Sequence, residues 1–128
     1  MKKFFATLLT VTALLSPTAF STQEALAAAP YKDSVTLTTG LPSISTVRVK
    51  NNGVLAYNVV NTGFQKVSFQ IFDNGEPLFP ERRYLDPGKR DATSLGGVSP
   101  NREYSLRIYC ESSTGKGCTA GASLNGNP

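Results

Sequence analysis

Short segments in which apolar and polar residues alternate, separated by turn residues, dominate this sequence. The alternation is clearest in segments 66–73, 103–110 and 118–125, and no stretch beyond residue 27 has apolar residues at helical spacing over ten positions. Alternation at period two is the pattern of a β-strand with one buried face. Because Gly, Pro, Asn and Asp interrupt the pattern every eight to twelve residues, the sequence predicts an all-β protein.

We predict eight strands or strand-like segments: 34–39, 44–50, 54–61, 66–73, 77–85, 90–95, 103–110 and 118–125. In 44–50, Ser45, Val47 and Val49 would share one face, and Asn-Gly at 52–53 would close a hairpin with the next strand. That next strand is apolar on both faces, so we expect it to be covered on both sides. Prolines in 77–85 favour an edge strand or an extended loop there.

About eight strands in a chain of this length, without a helix, predict one antiparallel two-sheet β-sandwich. A small closed barrel is the alternative architecture. Residues 28–128 would form this single domain.

The first 27 residues have the features of a secretory signal. Lysines at positions 2–3 give a positive start, and residues 4–15 are an uncharged apolar run that is short for a membrane span. Ala-Leu-Ala at 25–27 is a small-x-small site of the kind that signal peptidase accepts. We therefore predict cleavage after Ala27 and a secreted protein; the alternative is an N-terminal anchor that is retained.

The predicted mature domain is mildly basic. Residues 28–128 carry 11 basic and 8 acidic side chains, a net charge of about +3. This balance is too weak to argue for nucleic acid by itself, and it would suit an anionic cell wall. We expect a monomer with no membrane span and no nucleic-acid partner.

Cys110 and Cys118 are the two cysteines of the chain. In a secreted protein such a pair is predicted to form a disulfide. Each belongs to the inward-facing set of its strand, so folding the chain back over 111–117 would place the bond across a terminal hairpin. The intervening Gly-Lys is followed by glycine and lacks the first glycine of a phosphate-binding loop, so we expect no nucleotide site.

The segment SLGGVSPNREYSLRIYC, residues 94–110, resembles the turn-and-strand segment of fibronectin type III and related immunoglobulin-like domains. In those domains a Leu-x-Pro-x-x-x-Tyr run leads into an alternating strand. The resemblance implies an immunoglobulin-like sandwich in which Tyr104 is the tyrosine of a tyrosine corner, with its hydroxyl bonded to the preceding loop. These domains usually carry a buried tryptophan, which this chain lacks, and the resemblance transfers no function.

The chain contains no histidine. This removes Ser-His-Asp and Cys-His arrangements and most zinc and copper sites. Four carboxylates of 76–91 are interleaved with four basic residues, a pattern typical of a solvated face with weak ion pairs. The acidic stretch 73–76 is short for a calcium loop and is predicted to be a turn. We expect neither an enzyme nor a metal or cofactor site.

The segment EPLFPERRYLDPGKRD, residues 76–91, is the candidate working surface. It places aromatic residues beside arginine, a combination that binding surfaces favour. The predicted binding residues are Phe79, Arg82, Arg83, Tyr84, Lys89 and Arg90. Phe72 and Tyr109 face outward from their strands and are candidates to extend the surface. In the alternative interpretation the basic residues are merely solvated and the apolar members of the segment cap the core, namely Leu78, Phe79 and Leu85.

These features favour a secreted, non-enzymatic domain of bacterial type that binds a cell-surface polymer or a protein through 76–91. Two alternatives stay open. The first is a small extracellular effector, such as an antimicrobial protein or a protease inhibitor. The second is an extracellular structural or matrix protein that self-associates at an edge strand.

Overall fold

The computed structural model describes residues 29–128, which form two antiparallel sheets. The predicted signal of residues 1–27 lies outside the described residues. The strands are β1 (Lys32–Leu37), β2 (Ser43–Ser45), β3 (Val54–Asn61), β4 (Val67–Asp73), β5 (Glu76–Pro77), β6 (Arg83–Leu85), β7 (Arg90–Gly96), β8 (Tyr104–Cys110) and β9 (Ala120–Asn125). From residue 29 onward there is no helix long and apolar enough to cross a bilayer.

Successive strands alternate between the two sheets, except that β4, β5 and β6 all belong to the same sheet. The four-stranded sheet has the order β1-β9-β3-β7, and in the five-stranded sheet β2-β8-β4 is followed by β5 and β6, which both pair with β4. The predicted all-β, single-domain, two-sheet antiparallel sandwich is confirmed. Its connectivity is that of a jelly roll and differs from the immunoglobulin-like order, in which several sequence neighbours share a sheet.

The core lies between the sheets and is filled by the inward-facing residues of each strand. Along β8 and β9 burial alternates at every second residue, as the sequence pattern predicts. The largest apolar side chains with no exposed surface are Leu37, Val49, Leu55, Val59, Val67, Phe69, Ile71, Leu106, Ile108 and Leu124. Burial of this apolar area is the main force that holds the two sheets together.

Strand β3 is central in its sheet but covered on only one side. Leu55, Tyr57 and Val59 are buried, whereas the alternate residues Ala56 and Asn58 are half-buried. The expectation that both faces are covered is therefore wrong. The outward-facing residues Ala56, Asn58 and Val60 are half-buried, so this face is partly open to solvent.

The segment predicted as one strand over 44–50 is interrupted by a bulge. Ser45 lies opposite Arg107, and Val49 lies opposite Tyr104 in an isolated bridge. Four steps along this segment therefore match three steps along β8. One extra residue in one strand of an antiparallel pair is the definition of a β-bulge.

A side chain takes over the main-chain pairing inside the bulge. The Thr46 amide donates to the Leu106 carbonyl at 2.9 Å, and the Thr46 hydroxyl accepts from the Leu106 amide at 3.0 Å. The extra residue reverses the alternation, so Val49 is fully buried and Val47 is 56% exposed. The prediction that these two valines share one face is wrong for this reason.

Asn51 connects the two sheets instead of starting a hairpin. Its side-chain amide donates to the carbonyls of Ser99 and Arg102 at 2.8 and 3.0 Å, and its side-chain oxygen accepts from the Gly53 amide. Gly53 has the positive φ of 96° that suits glycine. The predicted hairpin at 52–53 is wrong, because β2 and β3 belong to different sheets.

Tyr104 also bonds to the loop that contains Ser99. Tyr104 is almost fully buried, and its hydroxyl accepts a hydrogen bond from the Ser99 amide at 3.0 Å. This is the contact that the resemblance to immunoglobulin-like domains implies for Tyr104. It ties the start of β8 to the loop before it.

The predicted disulfide between Cys110 and Cys118 is present, with Cα atoms 5.5 Å apart. It does not close a two-stranded hairpin, because β8 and β9 lie in opposite sheets. The bond therefore joins the two layers of the sandwich at the end of β8. The inward parity of both cysteines, which the sequence predicts, is what directs their side chains toward each other between the layers.

Candidate functional site

Within the segment 76–91, residues 76–85 form one edge of the five-stranded sheet and leave it midway. The Leu78 amide donates to the Ile71 carbonyl at 2.7 Å, and Arg83 lies opposite Phe69. Between Leu78 and Arg83 there are thus four residues, 79–82, whereas a regular strand would have one residue, opposite Gln70. The side chain of Gln70, which faces this gap, donates to the Phe79 carbonyl at 3.0 Å. The predicted edge strand is therefore two short strands with a protruding loop between them.

The apolar residues of the segment contact the core. Leu85 is buried, and Leu78 and Phe79 are half-buried against the core cluster. This agrees with the alternative interpretation for these three side chains. It leaves the charged and tyrosine side chains of the segment as the part exposed to solvent.

Arg83 lies between the layers at the open edge of the sandwich. Its guanidinium stacks 4.1 Å above the centre of the Phe79 ring and donates to the Tyr57 hydroxyl at 3.2 Å. That hydroxyl donates in turn to Asp91 at 3.1 Å. Burial of the phenol, with a contribution from the Asp91 carboxylate, raises the pKa of Tyr57. The cluster covers the core at this edge with its polar groups paired, and the Arg83 side chain remains 47% exposed.

Arg82 folds in the opposite direction, over the outer face of the sheet. Its guanidinium lies 3.6 Å from the centre of the Tyr109 ring and donates to Glu111 at 3.0 Å. The same carboxylate accepts from the Ser68 hydroxyl at 2.5 Å. Arg82 and Glu111 each have two partners in this cluster, so the stack is fixed before any ligand arrives.

Tyr84 lies next to this stack. It follows Arg83 on β6, is paired with Ser68 on β4, and is 60% exposed. Tyr109 is paired with Ser68 from the other side. The two tyrosines therefore flank one serine on the outer face, with the Arg82 guanidinium over one of the rings.

The pairing register defines the rest of this outer face. We call the five-stranded sheet sheet B and its outer face the sheet-B face. Side chains alternate between the two faces of a strand, so residues paired across neighbouring strands point to the same side. Its members are Ser43, Ser45, Ser68, Gln70, Phe72, Pro77, Arg82, Tyr84, Ser105, Arg107, Tyr109 and Glu111. It contains aromatic rings, hydroxyls, one amide, two guanidinium groups and one carboxylate.

The predicted binding residues do not share one surface. Arg82 and Tyr84 belong to the sheet-B face, whereas Phe79 and Arg83 seal the edge. Arg90 pairs with Val60 on the outer face of the other sheet, and Lys89 lies in the loop before β7. A segment continuous in sequence is divided because it turns around the edge of the sandwich.

Sequence reasoning missed Ser68, Tyr57 and Glu111 as partners of the arginines. The outward parity of Tyr109 was visible in the sequence, but its contact with Arg82 depends on the loop that leaves the edge strand. No local pattern indicates that Arg82 and Tyr109, 27 positions apart, will meet. Within the described chain we find no enclosed pocket and no group of three or more residues that could hold a metal ion.

The chain matches no protein-family model and no curated protein. Among solved structures it is similar to the pre-peptidase C-terminal domain of a collagenase from Bacillus anthracis, with a TM-score of 0.51, 14% identity, and coverage of 76% of this chain and 90% of that one. PirA has a TM-score of 0.46 at 10% identity, covering 77% and 94% of the two chains. A CBM35 domain from Paenibacillus barcinonensis has a TM-score of 0.44 at 12% identity, covering 65% and 69%. The similarity to the collagenase domain supports the β-sandwich fold and says nothing about a ligand.

Proposed function

We propose that the protein is a non-enzymatic binding domain that holds an anionic polysaccharide of a cell surface on its sheet-B face. The observation that carries the proposal is the pair formed by exposed Tyr84 and the Arg82 guanidinium fixed over Tyr109. Aromatic rings and planar guanidinium groups provide stacking area and directed donors at little entropic cost. An extended polymer needs no enclosed pocket, since it can lie along an open sheet.

The chemistry of the face suits a polyhydroxylated ligand. Ser43, Tyr84 and Tyr109 offer hydroxyl groups on this face, whereas Ser68 and Gln70 are buried and bonded to Glu111 and Phe79. Arg107 donates to Ser43 at 2.9 Å and retains further N–H donors, since a guanidinium carries five. Two arginines against one carboxylate give the face a net positive charge, which favours an anionic polymer over a neutral one.

The collagenase domain that shares the fold is one domain of a larger protein. A fold shared at 14% identity transfers no ligand. The proposal therefore rests on the side chains of this chain.

Binding to purified bacterial cell walls tests the proposal. We expect Tyr84→Ala to lower affinity about fivefold or more, the loss typical of an exposed aromatic anchor. The matched control is Tyr31→Ala, because Tyr31 is also an exposed tyrosine, 43% accessible, but precedes β1. Equal affinities of the two variants would overturn the assignment to the sheet-B face.

Salt dependence separates an anionic from a neutral ligand. Exposed charge–charge attraction is screened as ionic strength rises. We therefore expect wild-type binding to weaken steeply with salt. Binding that is insensitive to salt would contradict an anionic polymer as the ligand. The assignment to the sheet-B face would still be tested by the affinity of Tyr84→Ala.

We also propose that the protein is secreted after cleavage following Ala27. The disulfide supports this, because such bonds persist in oxidising compartments. N-terminal sequencing of protein from the culture medium should begin at Ala28. A chain that still begins at Met1 in the membrane fraction would establish the retained anchor instead.

The edge of the five-stranded sheet is poorly suited to self-association. Pro77 and Pro80 lack amide donors, residues 79–82 protrude, and Arg83 points inward. Natural edge strands use these same features to block strand addition. They count against a matrix protein that polymerises through this segment.

A further inference from the structure

Four loops lie together at the end of the sandwich that carries the disulfide. They are 38–42, 62–66, 86–89 and 111–119, and each crosses from one sheet to the other. The register fixes their common position, since Leu37 and Asn61 are both partners of Ala120. We call these four loops the disulfide end.

Phe64, at the tip of the loop 62–66, is 94% exposed. It is the most exposed of the large apolar side chains between residues 29 and 128. Full exposure of a phenyl ring opposes the hydrophobic effect, because the ring would gain free energy by burial. The loop could relieve this exposure only if its backbone were free to fold the ring back.

The backbone of this loop is not free. Asn61 is fully buried, and its side-chain amide donates to the carbonyls of Gln65 and Leu85 at 2.8 and 3.0 Å. Its side-chain oxygen accepts from the Gly63 amide at 3.0 Å. The residue before the loop thus bonds to both sides of Phe64 and fixes the turn around it.

The neighbouring loop supports the turn from the outside. A Cβ atom on Gly63 would lie 2.6 Å from the Thr119 hydroxyl oxygen and 3.0 Å from its amide nitrogen, so only glycine allows this approach. The Thr62 amide donates to the Thr119 carbonyl at 3.1 Å. Phe64 is therefore presented to solvent by a fixed structure.

Basic residues lie in the loops of the disulfide end. Lys66, Lys89 and Lys116 lie in three of the four loops. One acidic residue, Asp86, is 3.7 Å from Lys66. The other, Glu111, is directed to the sheet-B face by its bonds to Ser68 and Arg82. The disulfide end therefore keeps a positive balance, and Leu41, 38% exposed, adds a second apolar side chain.

We propose that the disulfide end docks the protein on the surface of an anionic phospholipid bilayer, with Phe64 entering the interfacial region and the lysines contacting headgroup phosphates. An exposed aromatic residue with flanking lysines combines the two forces that hold proteins at such surfaces, apolar insertion and attraction to anionic lipid. The site is separate from the sheet-B face and does not depend on its ligand.

The absence of tryptophan from the sequence allows a direct test. In Phe64→Trp the single tryptophan reports on the tip of the loop. Addition of vesicles of phosphatidylcholine mixed with phosphatidylglycerol should shift its emission to the blue, and lipids brominated on the acyl chain should quench it. In the matched variant Tyr84→Trp, on the sheet-B face, emission should not change.

Co-sedimentation with the same vesicles gives the energetic test. We expect Phe64→Ala to lower the partition coefficient about tenfold or more, from loss of one inserted ring. Lys89→Gln/Lys116→Gln should lower it about tenfold, whereas Lys32→Gln/Arg48→Gln, which removes the same charge at the opposite end, should change it little. Vesicles of phosphatidylcholine alone should bind weakly.

Three results would overturn the proposal. They are an unshifted Phe64→Trp emission with anionic vesicles, equal partition of Phe64→Ala and wild type, and equal losses in the two charge pairs. If anionic vesicles do not bind but Phe64→Ala weakens binding to purified cell walls, the ring contacts a saccharide instead and the bilayer proposal is wrong.

Discussion

At the scale of single residues, buried asparagines organise both ends of the sandwich. Asn51 bonds to three main-chain groups of the loops at one end, and Asn61 bonds to three at the other. A side-chain amide can do this because it carries two donors and an acceptor in one plane. Asn51 follows the predicted strand 44–50 and Asn61 ends the predicted strand 54–61, but their burial could not be predicted, since it depends on main-chain partners from distant segments, namely Ser99, Arg102 and Leu85.

Asn61→Ala should destabilise the fold by about 3 kcal/mol, because it leaves main-chain groups of Gly63, Gln65 and Leu85 without this partner. Asn58→Ala is the matched control on the same strand. The side-chain oxygen of Asn58 is buried without a hydrogen-bond partner, so its removal should change stability by no more than about 0.5 kcal/mol. Urea denaturation of both variants measures the difference, and similar losses would contradict the role of Asn61.

The raised pKa of Tyr57 predicts a loss of stability at alkaline pH. Its folded-state pKa lies above the ordinary value of 10.0, so folding favours the neutral phenol. The stabilisation is complete below that value and is lost as pH rises through the folded-state pKa. Thermal unfolding should therefore show a smaller alkaline decrease in Tm for Tyr57→Phe than for wild type. Parallel curves for the two proteins would contradict this account.

At the scale of strands, one inserted residue decides which valine enters the core. The sequence pattern over 44–50 fits a regular strand, and nothing local marks the bulge. The reversal follows from the Thr46 hydroxyl accepting from the Leu106 amide, a contact between residues 60 positions apart. A period-two sequence pattern cannot indicate such a contact. The pattern therefore predicted an extended segment here, but not which of its side chains point into the core.

Paired truncations test the bulge. Val49→Ala should cost about 2 kcal/mol, because it opens a cavity in a closed core. Val47→Ala should fall within about 0.5 kcal/mol of wild type, because Val47 is exposed. Equal losses, or a larger loss at Val47, would mean that the regular alternation predicted from the sequence is correct.

The disulfide acts between layers. Replacing both cysteines in Cys110→Ser/Cys118→Ser should lower the free energy of unfolding by about 2.5 kcal/mol on the loop-entropy estimate. Because the bond joins β8 to the loop before β9, amide hydrogen exchange should accelerate first along β9. If stability and exchange match those of wild type, the bond does not hold the layers together.

At the scale of the whole molecule, local patterns were sufficient to predict the strands and the two-sheet class. They could not give the jelly-roll order, because that order depends on which distant strands pair. The candidate site shows the same division. Residues 76–91 do contain the exposed Tyr84 and the stacking Arg82, but the chain turns around the sheet edge and separates them from Lys89 and Arg90.

This separation provides the most direct test of the central claim, that the sheet-B face is the binding surface. Arg82 and Arg90 are both exposed arginines of the same segment, on opposite faces of the sandwich, so Arg82→Ala and Arg90→Ala remove the same charge. Isotherms for purified cell walls at low ionic strength should show a loss of about fivefold or more for Arg82→Ala and little change for Arg90→Ala. Equal losses in the two variants, with unchanged Tm, would show that net charge alone drives binding and would contradict the claim.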